Sequence, residues 1–224
     1  MRHKTLFNSI SHELKTPITT IIGAVSSFKD EKIVGNKNSL TKILNEINIA
    51  AERLHRLVEN LLDMARLESG KLNLKLGWHS IADLIRSVIE RCKNESSNHI
   101  IITKIDEECV FRFDFTLMEQ ALINIVHNSL VYTPDGSEII IEGTQQNYNY
   151  ILTISDNGSG FSKDSLNKLF TKFYRIPGTK TGGTGLGLSI AKGFIEAHGG
   201  TIQASNKTSG GAVFTIILPL KEKQ

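Results

Sequence analysis

From Leu40 to Met64 the apolar positions are Leu40, Ile43, Ile47, Ala50, Leu54, Leu57, Leu61 and Met64, with gaps alternating three and four. That spacing holds one stripe on one side of a helix, the a/d seam of a bundle or coiled coil. Upstream, Phe7, Leu14, Ile21 and Phe28 recur at sevens, with Ser11, Ile18 and Val25 at the intervening position. A first long helix therefore precedes the second. Pro17 lies inside it, where the missing amide hydrogen predicts a kink. Lys29–Asn38, with Gly35 and two asparagines, suits the connection of a helical hairpin. Two helices cannot enclose seams of this width, whereas four can. The pattern predicts a dimeric four-helix bundle rather than a hairpin packed on the rest of its own chain.

Around Ser69–Gly70 the period changes. Leu72, Leu74 and Leu76 alternate with polar residues, which predicts a strand. Ser80 followed by Asp83 resembles a capping box that opens a helix from Ile81 to about Cys92. Strands are expected at Ile100–Ile105 and Val110–Phe113, then a helix from about Thr116 to Val131. Ser137–Gly143 and Tyr148–Ser155 read as a strand pair joined through Gln145–Asn147. A long irregular stretch, Asn157 to Thr184, leads to a helix over Leu186–His198. Thr201–Ser205 and Ala212–Leu218 close the chain as strands, turning at Gly210–Gly211. Without regular βαβ alternation this half reads as a two-layer α/β sandwich. The whole is an α+β chain of two domains, 1–70 and 71–224.

Composition narrows the chemistry. The 224 residues are 40% apolar and 22% charged, which excludes a wholly disordered chain. Twenty-six basic against 23 acidic residues leave +3, too little to argue for a nucleic-acid partner, and none is expected. Cys92 and Cys109, without CxxC spacing, argue against a disulfide framework or a zinc site and for a reducing, cytoplasmic setting. No apolar run approaches the roughly 18 residues of a membrane span. The charge-broken start is no signal peptide.

The candidate chemistry lies in the second half. Glycine clusters stand at Asp156-Asn157-Gly158-Ser159-Gly160 and Gly182-Gly183-Thr184-Gly185-Leu186-Gly187. Bare backbone beside a helix start lets N–H groups approach an anion. Neither GxxxxGK[ST] nor a GxGxxG following a strand occurs, so the two commonest nucleotide motifs are absent. Asn124 and Asn128, four apart, share one face of a helix otherwise marked by Leu122, Ile123, Ile125 and Val126. An amide oxygen there is a hard ligand suited to Mg²⁺.

NxxxN, DNGSG, LFTKFYR and GGTGLGLSI, in this order, resemble the N, G1, F and G2 boxes of sensor histidine kinases, and SHELKTPIT resembles their H box. NLLDMARLESGKLNL, TPDGSEI and FIEAHGGTI are similar to the Kdp-type, potassium-responsive subgroup. The resemblance implies a homodimeric phosphoacceptor hairpin and an ATP-binding domain of the Bergerat, or GHKL, type. It also implies phosphotransfer to a response-regulator receiver domain, and a cytoplasmic segment of an inner-membrane sensor anchored outside this stretch. His12 would accept the phosphoryl group, Glu13 would take its Nδ1 proton, and Thr16 would place a water for receiver dephosphorylation. Relative to the helix seam, His12 should face solvent. Asp156 would accept the adenine amino group, with Gly158 and Gly160 passing close to the ring and Tyr132 counted beside them. Asn128 would hold Mg²⁺ and Asn124 would lie at the phosphates. Gly183, Thr184, Gly185, Leu186 and Gly187 would form the phosphate-side loop.

The wording departs from the family at Ser129-Leu130-Val131-Tyr132, where Ala-x-Lys-Tyr/Phe is usual. A lost charge-assisted phosphate contact costs about 1.5–3 kcal/mol, and Lys172 or Arg175 would compensate. Clamp-type ATPases of the same fold lack a phosphoacceptor helix. A catalytically weak dimeric scaffold that binds ATP is the alternative, with Val131 as its support.

Overall fold

The computed structural model describes residues 2–28, 36–70, 72–93, 96, 98–178 and 184–220, with side chains from Ile10 onward. The chain divides into two compact units between Ala65 and Arg66. In the first, α1 (Arg2–Ser27) runs unbroken through Pro17, which is buried. The expected kink does not interrupt the helix. Lys29–Gly35 and its turn lie outside the described residues. α2 (Lys37–Glu68) starts on Asn36, whose Oδ1 accepts from Asn38 N at 3.0 Å and Ser39 N at 3.2 Å, satisfying two of the helix's open amides.

The α2 seam holds. Ala50, Leu57 and Met64 are buried, and Leu40, Ile43, Ile47, Leu54 and Leu61 are half-buried. On α1 the expectation needs correcting at the intervening positions. Leu14, Ile21 and Phe28 are half-buried and Ala24 is buried, but Ile18 and Val25 are exposed. They lie with Ile22 at i, i+4 and i+7, a second stripe the hairpin leaves open.

The second unit carries β1 (Gly77–Ser80), α3 (Ile81–Cys92), β2 (Ile100–Lys104), β3 (Val110–Phe113) and α4 (Phe115–Tyr132). They are followed by β4 (Glu138–Gln146), β5 (Asn149–Asp156), the one-turn α5 (Lys163–Leu166), α6 (Gly187–Ala197), β6 (Thr201–Asn206) and β7 (Ala212–Pro219). Five strands form a mixed sheet in the order β2-β4-β5-β7-β6, parallel only at β2–β4, and β1 pairs with β3 antiparallel. Period-2 patterning aims Ile139, Ile141, Tyr150, Leu152, Ile154, Phe214, Ile216 and Leu218 inward. They meet the apolar faces of the helices, among them Leu84, Met118, Leu122, Ile125, Ile190 and Phe194. This is the expected two-layer sandwich.

Two local expectations shift. Leu72–Leu76 forms no ladder; Lys75 N instead donates to Asp114 Oδ2 at 2.8 Å, and pairing begins at Gly77. The β4–β5 ladder runs to Gln146↔Asn149, so the turn is Asn147-Tyr148 rather than Gln145–Asn147. Asn147 sits at φ 53°, a conformation asparagine tolerates better than most residues. α4 is capped at Asp114, whose Oδ1 accepts from Leu117 N at 3.2 Å. α3 is capped by Ser80, which accepts from Asp83 N at 3.4 Å.

Candidate functional site

β5 ends on Asp156, which the sheet delivers at 4% exposure to the foot of α4. Its Oδ1 accepts from Gly158 N at 3.0 Å and Ala212 N at 3.1 Å, and its Oδ2 accepts from Ser129 Oγ at 3.1 Å. A carboxylate offers about four acceptor sites, so among the described residues one on Oδ2 remains. A cavity of about 340 Å³ opens alongside, lined by Tyr132, Pro134, Asp135, Gly136, Ser137, Asn157, Gly158 and Ser159. Asn157 is fixed there by its Oδ1, which accepts from Glu138 N at 2.9 Å. An acceptor buried beside such a cleft suits the exocyclic amino group of a planar base.

Asn124 and Asn128 are both half-buried on α4. Asn124 Nδ2 is buried and has no partner among the described residues, an open donor that costs free energy unless a ligand answers it. Its Oδ1 lies against Gly187, the first residue of α6, where an added Cβ would stand 3.3 Å away. Donor, bare helix start and glycine together fit a phosphate chain. Gly185 (φ 68°) accepts at its carbonyl from Phe173 N at 2.9 Å, and a Cβ there would meet Tyr174 O at 2.6 Å. Only glycine fits that close backbone crossing. Leu186 is buried, Thr184 is half-buried, and Gly160 carries φ 68° beside Asn206. Gly183 lies outside the described residues.

Lys172 and Arg175 are the cations expected to replace the missing lysine. Lys172 Nζ pairs with Glu68 Oε1 at 2.9 Å, and Arg175 is half-buried with a partner of its own. The acid at the end of α2 is thus an ionic partner of Lys172. Val131 is half-buried and supplies no charge. Ser129 and the Ala212 amide were not anticipated as supports of Asp156. The available signal was a hydroxyl within the apolar run of α4, next to Asn128.

In the first unit His12 is exposed, as its phase against the seam requires. Glu13, one residue on, is 7% exposed and receives Arg53 Nη2 of α2 at 2.8 Å. Adjacent helical side chains diverge by about 100°, so the carboxylate faces the hairpin interior while the imidazole faces water. The Glu13–Arg53 ion pair ties α1 to α2. Thr16 Oγ1 donates to His12 O at 3.1 Å, the back-bond common for helical threonine.

Residues 2–70 match the His Kinase A (phospho-acceptor) domain, and residues 113–222 match the family described as histidine kinase-, DNA gyrase B-, and HSP90-like ATPase. Sensor protein KdpD of Clostridium acetobutylicum is 34% identical over 96% of this chain and 24% of its own length. Sensor histidine kinase WalK of Bacillus subtilis is 32% identical over 96% of this chain and 36% of its own. The chain thus spans about a quarter to a third of these relatives. Among solved structures, Acinetobacter baumannii histidine kinase AdeS superposes with a TM-score of 0.70 at 25% identity, covering 94% of this chain and 98% of that one. Histidine kinase ThkA, solved in complex with a response regulator protein, gives 0.70 at 26% identity over 97% of this chain and 61% of its own. With a phosphoacceptor hairpin ahead of an ATPase sandwich in a single chain, this protein belongs to the sensor histidine kinase family.

Proposed function

We propose that this chain moves the γ-phosphoryl group of ATP to His12 and from there to an aspartate of a response-regulator receiver domain. The observation that carries the reading is Asp156, a buried carboxylate with one acceptor site unused among the described residues and flanked by the cavity-lining Asn157 and Gly158, in a chain whose hairpin exposes His12. A neutral imidazole is nucleophilic through its unprotonated ring nitrogen. His12 Nε2 attacks the γ-phosphorus, the bond to the bridging oxygen breaks, and ADP departs. The Nδ1 proton passes to Glu13 once that carboxylate has left Arg53. In the second step a receiver carboxylate oxygen attacks the phosphorus and the N–P bond breaks.

Asn128 Oδ1 would hold Mg²⁺ together with phosphate oxygens and water, and the ion would supply charge neutralisation at the phosphates. Asn124 Nδ2 donates to a phosphate oxygen. Gly185 and Gly187 bring backbone amides to the same group, while Gly158, Gly160 and Tyr132 border the base. Thr16, its proton spent on His12 O, still accepts from a water and so aims that water's lone pair at a receiver phospho-aspartate. The functional boundary falls at Gly70, and two copies assemble through the open stripe of α1. No described helix is long and apolar enough to cross a membrane; an anchor, as in full-length sensors, would lie elsewhere in a longer protein.

Incubation with γ-labelled ATP tests this reading. The label should be acid-labile, alkali-stable and transferable to a receiver domain. Acid-stable label, or hydrolysis with no label retained, would contradict it.

A further inference from the structure

Ser129 follows Asn128 on α4. It is 1% exposed, and its hydroxyl reaches off α4 to Asp156 Oδ2 at 3.1 Å. The turn that carries it is held firmly. Ser129 O accepts from Thr133 N at 3.2 Å and from Thr133 Oγ1 at 2.7 Å. With that single proton spent, Thr133 Oγ1 can only accept from His99 Nε2, 3.1 Å away. Thr133 Cγ2 in turn packs against Gly158, whose amide holds Asp156 Oδ1. The carboxylate is thus oriented by three donors from three segments: α4, the loop after β5, and the start of β7.

We propose that Ser129 is a positioning residue for nucleobase selection, leaving Asp156 one open acceptor matched to a 6-aminopurine and opposed to a 6-oxopurine. The inference rests on the reading that Asp156 receives the base of ATP. Ser129 is too buried to touch the base, so it acts through the carboxylate. A donor amino group completes the fourth site, whereas a 6-oxo group sets two acceptors face to face and leaves both unpaired. Without Ser129, Oδ2 keeps a second open site for water, and its direction is fixed only through Oδ1.

Magnesium-free calorimetry of ADP and of purine riboside 5′-diphosphate, which lacks the 6-amino group, separates positioning from packing. Wild type should prefer ADP. Ser129→Ala should weaken ADP by about tenfold, while purine riboside diphosphate changes by less than about twofold, so the preference collapses. Equal losses for both ligands would mean that Ser129 merely supports the fold, and an unchanged ADP affinity would mean that it does nothing; either overturns the proposal. Failure of wild type to bind ADP at all would instead defeat the ATP reading on which the proposal stands.

Discussion

Thr16 and His12 share a face of α1, yet the structure shows only one bond between them, from the Thr16 hydroxyl to the His12 carbonyl. That bond leaves the imidazole untouched. Thr16→Ala should therefore keep His12 phosphorylation within a few-fold of wild type. Receiver dephosphorylation should slow by about tenfold or more, or about 1.4 kcal/mol of transition-state stabilisation. Equal losses in both activities, measured on the same preparation, would reduce Thr16 to a support for the helix at Pro17. Single residues were legible from sequence where chemistry and spacing agreed. His12 is exposed on α1, Asn124 and Asn128 share one face of α4, and Asp156 is buried at the end of β5. Partners across sequence-distant segments were not. Arg53 claims Glu13 over 40 positions, Lys172 turns to Glu68 over 104, and no periodicity carries such information.

At the scale of elements, the heptads of α2 predicted its buried face correctly, because one seam has one partner to meet. α1 carries two apolar stripes, and spacing alone could not say which one the hairpin consumes. Leu14, Ile21 and Ala24 turn inward, leaving Ile22 60% and Val25 52% exposed. Burial of such side chains contributes about 1.5–3 kcal/mol each, so a second copy that covers this stripe gains stability. Replacing Ile22 and Val25 together by Glu should shift the chain from dimer to monomer in light scattering at micromolar concentration, with the hairpin's helical content retained. A variant that stays dimeric would move the interface elsewhere. The strand misreading at Leu72–Leu76 has a related origin. Alternation reports which side of an extended chain is covered, not whether a neighbouring strand bonds to it; there the Asp114 side chain takes the Lys75 amide.

Across the whole second unit, distant segments are tied together by His198. Its Nδ1 donates to Phe194 O at 2.7 Å, and its Nε2 accepts from Asp114 N at 3.0 Å, linking the end of α6 to the cap of α4. The ring is neutral in this arrangement, since a proton on Nε2 would oppose the Asp114 amide. Burial pushes the imidazole below its ordinary pKa, outweighing the upward pulls of the Phe194 carbonyl and the Asp114 charge. The unfolded chain therefore takes up this proton first as pH falls. The stabilisation is complete above about pH 6.5 and is lost on acidification below it. The melting temperature should fall between pH 7 and pH 5, and His198→Gln should flatten that slope while lowering Tm at pH 7. An unchanged slope would place the pH sensitivity in other groups.

The two-domain order was readable because helical and strand periods change near Gly70. The support of the nucleotide pocket was not, since it depends on β7 and α4 meeting around Asp156. The central proposal is that His12 accepts ATP's phosphoryl group. The most direct measurement compares retained label after γ-labelled ATP in wild type and His12→Gln, with ADP affinity measured in parallel. Alkali-stable label is expected in wild type, none in His12→Gln, and equal ADP binding in both; label persisting in His12→Gln would rule out His12 as the acceptor.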